Sequence, residues 1–117
     1  MGLSDQPGRA DFITPVEGNL GNTRLSPCAE GACTLARGDD ILANERVDFI
    51  KIDVEGMEMK VLAGLPETIA RNRPPLFVEV ESKASPALVD FAKAKNYQLV
   101  EDFSRYDGLT NFLMLPK

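Results

Sequence analysis

Phe49-Ile50-Lys51-Ile52-Asp53-Val54-Glu55-Gly56-Met57-Glu58-Met59-Lys60-Val61-Leu62-Ala63-Gly64 changes its period midway, and that change decides the fold class. Val47, Phe49, Ile50, Ile52 and Val54 form a nearly continuous apolar run over residues 47–54, the pattern of a parallel strand covered on both faces. From Glu55 to Leu62 the apolar residues Met57, Val61 and Leu62 recur at helical spacing, and Gly64 suits a helix end. Two carboxylates, Asp53 and Glu55, and a glycine, Gly56, stand where the strand stops.

Downstream, Pro66 restarts a helical turn through Glu67, Thr68 and Ile69, and Arg73-Pro74-Pro75 ends it. Residues 76–81 alternate, with Leu76, Val78 and Val80 on one face and Phe77, Glu79 and Glu81 on the other. Ser85 reads as an N-cap with Pro86 at the first helical position, and Leu88, Val89 and Ala92 give the buried stripe of a helix ending near Asn96. Residues 97–103 and 112–115 read as strands, joined across an Asp107-Gly108 turn into an antiparallel hairpin. Strands alternating with helices predict an α/β fold with a mostly parallel, doubly wound sheet, helices on its faces, and an antiparallel edge.

Upstream the pattern is weaker. Residues 1–46 read as irregular, with short strands at residues 11–14 and 33–35 amid Gly, Pro and Asn. Asp39 or Asp40 is the expected N-cap of one helical turn carrying Ile41 and Leu42 inward. The stretch Glu17-Gly18-Asn19-Leu20-Gly21-Asn22-Thr23 fails as a phosphate cradle, because no strong strand precedes it and Pro27 and Gly31 follow where a helix should begin.

With 117 residues, 44% of them hydrophobic, the chain reads as a single domain, residues 1–117. Its charge is −5, from 13 basic and 18 acidic residues, and no basic stripe exists to neutralise phosphates, so nucleic acid is not an expected partner. No apolar run is long enough for a membrane span and the first residues lack a secretory layout, so a cytoplasmic location is expected. Histidine is absent, which removes His triads and His metal sites and leaves Asp, Glu, Lys, Tyr or Cys as candidate bases. Cys28 and Cys33 match neither a redox pair nor half a common zinc site and read as two reduced thiols.

In open α/β sheets ligands bind beyond the carboxyl ends of the strands. There the first strand carries Asp53 and Glu55 and the second carries Glu79 and Glu81, so neighbouring strands would gather four carboxylates around one crevice. Such a group accepts hydrogen bonds from hydroxyls, serves as a general base or holds a cation. The helix N-terminus is expected to favour the anionic forms of Asp53 and Glu55, and Lys51 to lower the pKa of a carboxylate beside it. The competing account is helix capping by the first pair and a solvated strand face for the second. As a calcium loop the stretch fails, since its glycine comes too early and the closing glutamate is missing.

Val47-Asp48-Phe49-Ile50-Lys51-Ile52-Asp53-Val54-Glu55-Gly56-Met57-Glu58 through Gly64 resembles the signature of the FkbM family of S-adenosylmethionine-dependent methyltransferases. Residues 2–12, 33–42 and 73–81 resemble that family's flanking segments, with the Thr-Leu-Asp-Asp spacing disturbed at residues 34–40. The resemblance puts Asp53, Glu55, Gly56 and Glu58 on motif positions and Glu79 on the acidic position of the next strand. It implies a partial Rossmann-like, methyltransferase-type sheet and O-methyl transfer to a sugar or small metabolite. Asp53 would then be base or positioning group, Glu55 and Glu79 its assistants, and Lys51 the tuning charge. The family's Asp-x-Gly-Ala-x-x-Gly cofactor loop has no counterpart here, so the chain reads as the carboxyl-terminal half of the domain. No residue is assigned to S-adenosylmethionine, no metal ligand is assigned, and the 117-residue chain alone is expected to be inactive. The alternative is a non-catalytic α/β binding or assembly module. With the preceding strand missing, the outer edge of residues 47–54 is expected either to pair in a homo-oligomer or to be covered by residues 11–35.

Overall fold

A computed structural model of the chain describes residues 1–13, 23–104 and 107–117. Among these the 47–54 run yields a shorter strand than its apolar content suggests, β5, Ile50–Ile52. It pairs in parallel with β6, Leu76–Glu81, in the register Ile50↔Leu76, Lys51↔Phe77 and Ile52↔Val78. The hairpin strands are β7, Tyr97–Phe103, and β8, Leu109–Pro116. The sheet order is β5-β6-β8-β7, with β8 antiparallel to both its neighbours.

Three of the four strands, β5, β6 and β7, therefore run the same way, and β8 alone is reversed. The reversed strand is interior, which corrects the expectation of an antiparallel edge. The crossover from β6 to β7 steps over one strand position, and the hairpin returns β8 into that gap.

Three helices follow from the predicted punctuation: α2, Glu58–Ala63; α3, Pro66–Asn72; and α4, Ser85–Ala94. Leu76, Val78 and Val80 are at most 1% exposed and join Ile52, Phe112 and Met114 in one core with Val61 and Leu62 of α2, Ile69 of α3, and Leu88 and Ala92 of α4. Each large side chain so buried contributes about 1.5–3 kcal/mol. The opposite face, with Phe77, Glu79, Glu81, Leu113 and Phe103, takes no part in that core; Phe77 packs on Phe103, ring centroids 5.7 Å apart. The helices thus cover one face, not two. From β5 to β6 to β7 the chain advances in a single direction across the sheet, and crossovers of one hand then fall on the same side.

Residues 1–46, read as irregular, hold a second sheet. It consists of β1, Gly2–Ser4; β2, Gly8–Ile13; β3, Arg24–Pro27; and β4, Cys33–Arg37, in the order β1-β4-β2-β3. The expected 11–14 strand begins earlier, at Gly8, and Thr14 lies outside the described residues, as does the rejected phosphate-cradle stretch up to Asn22. Cys28 and Cys33 are both unbonded, and the Cys28 thiol donates to Asp11 Oδ2 at 3.4 Å.

Two expected caps are corrected. A turn of 3-10 helix, Ser82–Ala84, leads into α4, so Ala84 and not Ser85 is the N-cap. The short helix α1, Gly38–Ile41, is capped by Arg37 without a side-chain bond, and its Ile41 is exposed. Asp39 is buried instead against α3, where Oδ2 accepts from the Glu67 amide at 2.9 Å and Oδ1 from the Thr68 amide at 2.8 Å. Among the described residues no helix is long and apolar enough to cross a membrane.

Candidate functional site

The backbone turns from β5 into α2 through two successive residues in the left-handed region, Glu55 at φ 51° and Gly56 at φ 100°. Glycine takes that conformation freely, but glutamate pays for it, and non-glycine residues held there cluster at functional corners. The turn leaves Asp53 exposed and Glu55 half-buried at the carboxyl end of β5. One rung beyond Ile52↔Val78 on the parallel ladder, Asp53 faces the level of Glu79 on β6. Helix α2 starts only at Glu58, whose buried carboxylate accepts the Gly56 amide at 2.9 Å and so ties the corner.

The sequence-predicted residues Asp53, Glu55 and Glu79 are therefore brought into one electrostatic cluster. Burial, then the charges of Asp53 and Glu79, push the Glu55 carboxyl above its ordinary range. Glu79 is likewise raised, by burial first and then by Asp53. This corrects the expectation that the helix N-terminus holds Glu55 anionic: α2 begins three residues later and spans only Glu58–Ala63. The Lys51 charge does draw Glu79 downward, as expected of a tuning residue, but burial and Asp53 outweigh it. Glu81 stands apart, paired with Lys83 Nζ at 3.0 Å and with Arg24 Nη1 at 3.9 Å.

Arg24 is the residue that sequence reading misses. It comes from β3 in the second sheet, and its charge lowers the Glu55 carboxyl against the other influences on it. Its guanidinium lies 3.6 Å from where a Gly56 Cβ would stand, while its Nε is buried without a hydrogen-bond partner among the described residues. Phe12, Thr23, Arg24, Leu25, Asp53 and Glu55 line a cavity of about 200 Å³ between the two sheets. No local signal in Asn22-Thr23-Arg24-Leu25 marks this role; only the docking of β3 over the corner creates it.

Chemically the cluster offers three carboxyl groups, two of them raised, beside one guanidinium. Among the described residues no three acidic or cysteine side chains converge to hold a metal ion. A cofactor cradle of successive glycine amides at a strand-to-helix turn is not found among them either: Gly38, where β4 enters α1, packs on Leu65, Gly64 packs on the Ser4 backbone, and at the turn from β5 into α2 Gly56 is a single glycine. The described residues therefore do not fit the adenosine and methionine moieties of S-adenosylmethionine.

The family model of the methyltransferase FkbM domain matches residues 2–103. No curated protein matches the chain, and no solved structure matches it.

Proposed function

The chain belongs to the FkbM methyltransferase family, and from that premise we propose that it supplies the acceptor side of an S-adenosylmethionine-dependent O-methyl transfer to a hydroxyl on a sugar or small metabolite. The observation that carries the reading is the Glu55-Gly56 corner, which sets an exposed Asp53 beside two carboxyls of raised pKa. Asp53 accepts the proton of the attacking hydroxyl. Glu55 and Glu79, both raised above the ordinary glutamate range, hydrogen-bond neighbouring hydroxyls of the acceptor, and Lys51 moderates Glu79. The donor's grip is assigned to no residue of this chain. Two unbonded cysteines support a reducing, cytoplasmic setting for the reading.

A second reading, a non-catalytic binding module, is favoured by the missing glycine cradle among the described residues. Two titrations separate the readings. Neutral sugars added to ¹⁵N-labelled protein are expected to shift the amides around Asp53, Glu55 and Glu79, and Asp53→Asn to abolish the shifts. Calorimetry with S-adenosylhomocysteine is expected to detect no binding at about micromolar affinity, since that needs roughly 8 kcal/mol and exposed charge pairs contribute about 1 kcal/mol or less each. Sugar shifts confined to another surface would overturn the acceptor role and leave the module reading. Micromolar S-adenosylhomocysteine binding would overturn the unassigned donor grip and make the chain a complete site.

A further inference from the structure

Phe12 is the part of the candidate site that proton transfer to Asp53 leaves unused. It stands on β2 opposite Leu25 of β3 and is 66% exposed, although it lines the same cavity as Asp53 and Glu55. A single exposed apolar side chain is ordinary. What sets Phe12 apart is its company: Leu25 and Val54 complete the apolar lining of the cavity, while Arg24, Asp53 and Glu55 bring hydrogen-bond donors and acceptors to it. Arg24 Nη1 lies 3.9 Å from Glu81 Oε1, beyond hydrogen-bond reach, so Glu81 does not take its donors.

Size and charge narrow the ligand. The volume of about 200 Å³ falls below the roughly 300–1,000 Å³ of sites for drug-sized ligands, so the cavity holds one small ring and not a chain of them. Among the described lining residues Arg24 is the one cation, against Asp53 and Glu55 in the cavity and Glu81 beside it. A carboxylate or phosphate brought in would meet more like charge than opposite, and an ammonium would stand against the guanidinium. A neutral pyranose combines what remains. Its axial hydrogens form an apolar face that rests on an aromatic ring, and its hydroxyls, each both donor and acceptor, meet carboxylates and a guanidinium around the rim.

We infer that the cavity of Phe12, Arg24, Asp53 and Glu55 is a subsite for a single neutral pyranose ring, with Phe12 the platform for its apolar face and Arg24 the group that orders its hydroxyls. This rests on the acceptor reading of Asp53 and narrows it from hydroxylated metabolites to a sugar ring. Methyl glucopyranoside titrated into ¹⁵N-labelled protein should bind at about millimolar affinity, as suits one small ring, and should shift the amides of Phe12, Arg24 and Leu25 along with those around Asp53. Filtered Overhauser spectra should connect the Phe12 ring to the axial hydrogens of the sugar. Phe12→Ala should raise Kd at least about fivefold with circular dichroism unchanged; Phe12→Leu, apolar but not flat, should lose nearly as much, and Phe12→Trp should restore binding. Arg24→Gln should raise Kd about threefold or more. Sorbitol, with more hydroxyls and no ring, should not bind. Shifts around Asp53 that ignore Phe12→Ala would overturn the subsite and leave the acceptor reading standing. Shifts at Phe12 and Arg24 that survive Asp53→Asn would keep the subsite and remove the acceptor role of Asp53, and no shifts at either place would overturn both. Tighter binding of the methyl glucuronide or methyl glucosaminide would overturn the neutral class, and maltotriose binding about tenfold more tightly would overturn the single ring.

Discussion

Gly56 and Asp53 sit three residues apart, yet substitution should affect them differently. At Gly56 the space is open enough for a Cβ, whose nearest neighbour would be Arg24 Nη1 at 3.6 Å, so the penalty for Gly56→Val lies in the backbone angle of 100°. A loss of about 1–3 kcal/mol is expected in urea unfolding. Asp53→Asn, at an exposed position, should cost much less; equal losses would make Asp53 a structural residue. The raised carboxyls of Glu55 and Glu79 predict a pH effect of definite sign. When the folded value exceeds the unfolded one, the folded chain binds more protons, and stability declines as pH rises from the ordinary glutamate value of 4.5 through the folded values. The double variant Glu55→Gln, Glu79→Gln should therefore have a higher urea midpoint than the parent at neutral pH, and the gap should close at about pH 3.5. A gap independent of pH would remove the electrostatic account of the cluster.

Among the elements, α3 shows how far local signals reach. Pro66 announces its start, but the acceptor for its first amides is Asp39, 28 residues before Glu67 in the chain. Burial raises the Asp39 carboxyl, but the Glu67 and Thr68 amides and the Arg37 charge together bring it below its ordinary value. The stability this confers is present above the ordinary aspartate value of 3.8 and is lost as pH falls through the lower folded value. Asp39→Ala leaves two helix amides unpaired and should cost about 2–3 kcal/mol at neutral pH, with a smaller deficit in strong acid, both measurable by urea unfolding. The strands were legible to different degrees. β6 reads directly from its alternation, because one face is buried and the other is not. β1 and β3 escape notice because they are three and four residues long, too short for a period to register.

For the whole molecule, the decisive contact is the docking of the small sheet on the helices of the larger one. The Gly64 carbonyl accepts the Asp39 amide at 2.9 Å, and a methyl group on Gly64 would collide with the Ser4 carbonyl oxygen of β1. Gly64→Ala should thus pry the sheets apart at a cost of about 1–3 kcal/mol, despite the better helix propensity of alanine. Because Arg24 reaches the site only through this docking, the same variant should also shift the Glu55 and Gly56 amide resonances, some distance from the substitution. Unchanged resonances there would mean that Arg24 is held over the corner by its own strand alone.

By itself the sequence determined what depends on neighbours along the chain. The period change at Asp53, the alternation of residues 76–81, the proline starts of α3 and α4 and the Asp107-Gly108 turn each express a local geometry that a few residues suffice to impose. It also put Asp53, Glu55 and Glu79 at the carboxyl ends of two strands, and the pairing of β5 with β6 then made those ends neighbours. Only the tertiary structure decided what depends on partners far away in sequence. It set β8 between β6 and β7, put α2, α3 and α4 on one face of that sheet, made Asp39 the cap of a helix other than its own, and brought Arg24 over the corner. The raised carboxyl of Glu55 belongs with these, because it is set by burial and by the surrounding charges of Asp53, Glu79, Arg24 and Glu58, which only the folded chain brings together.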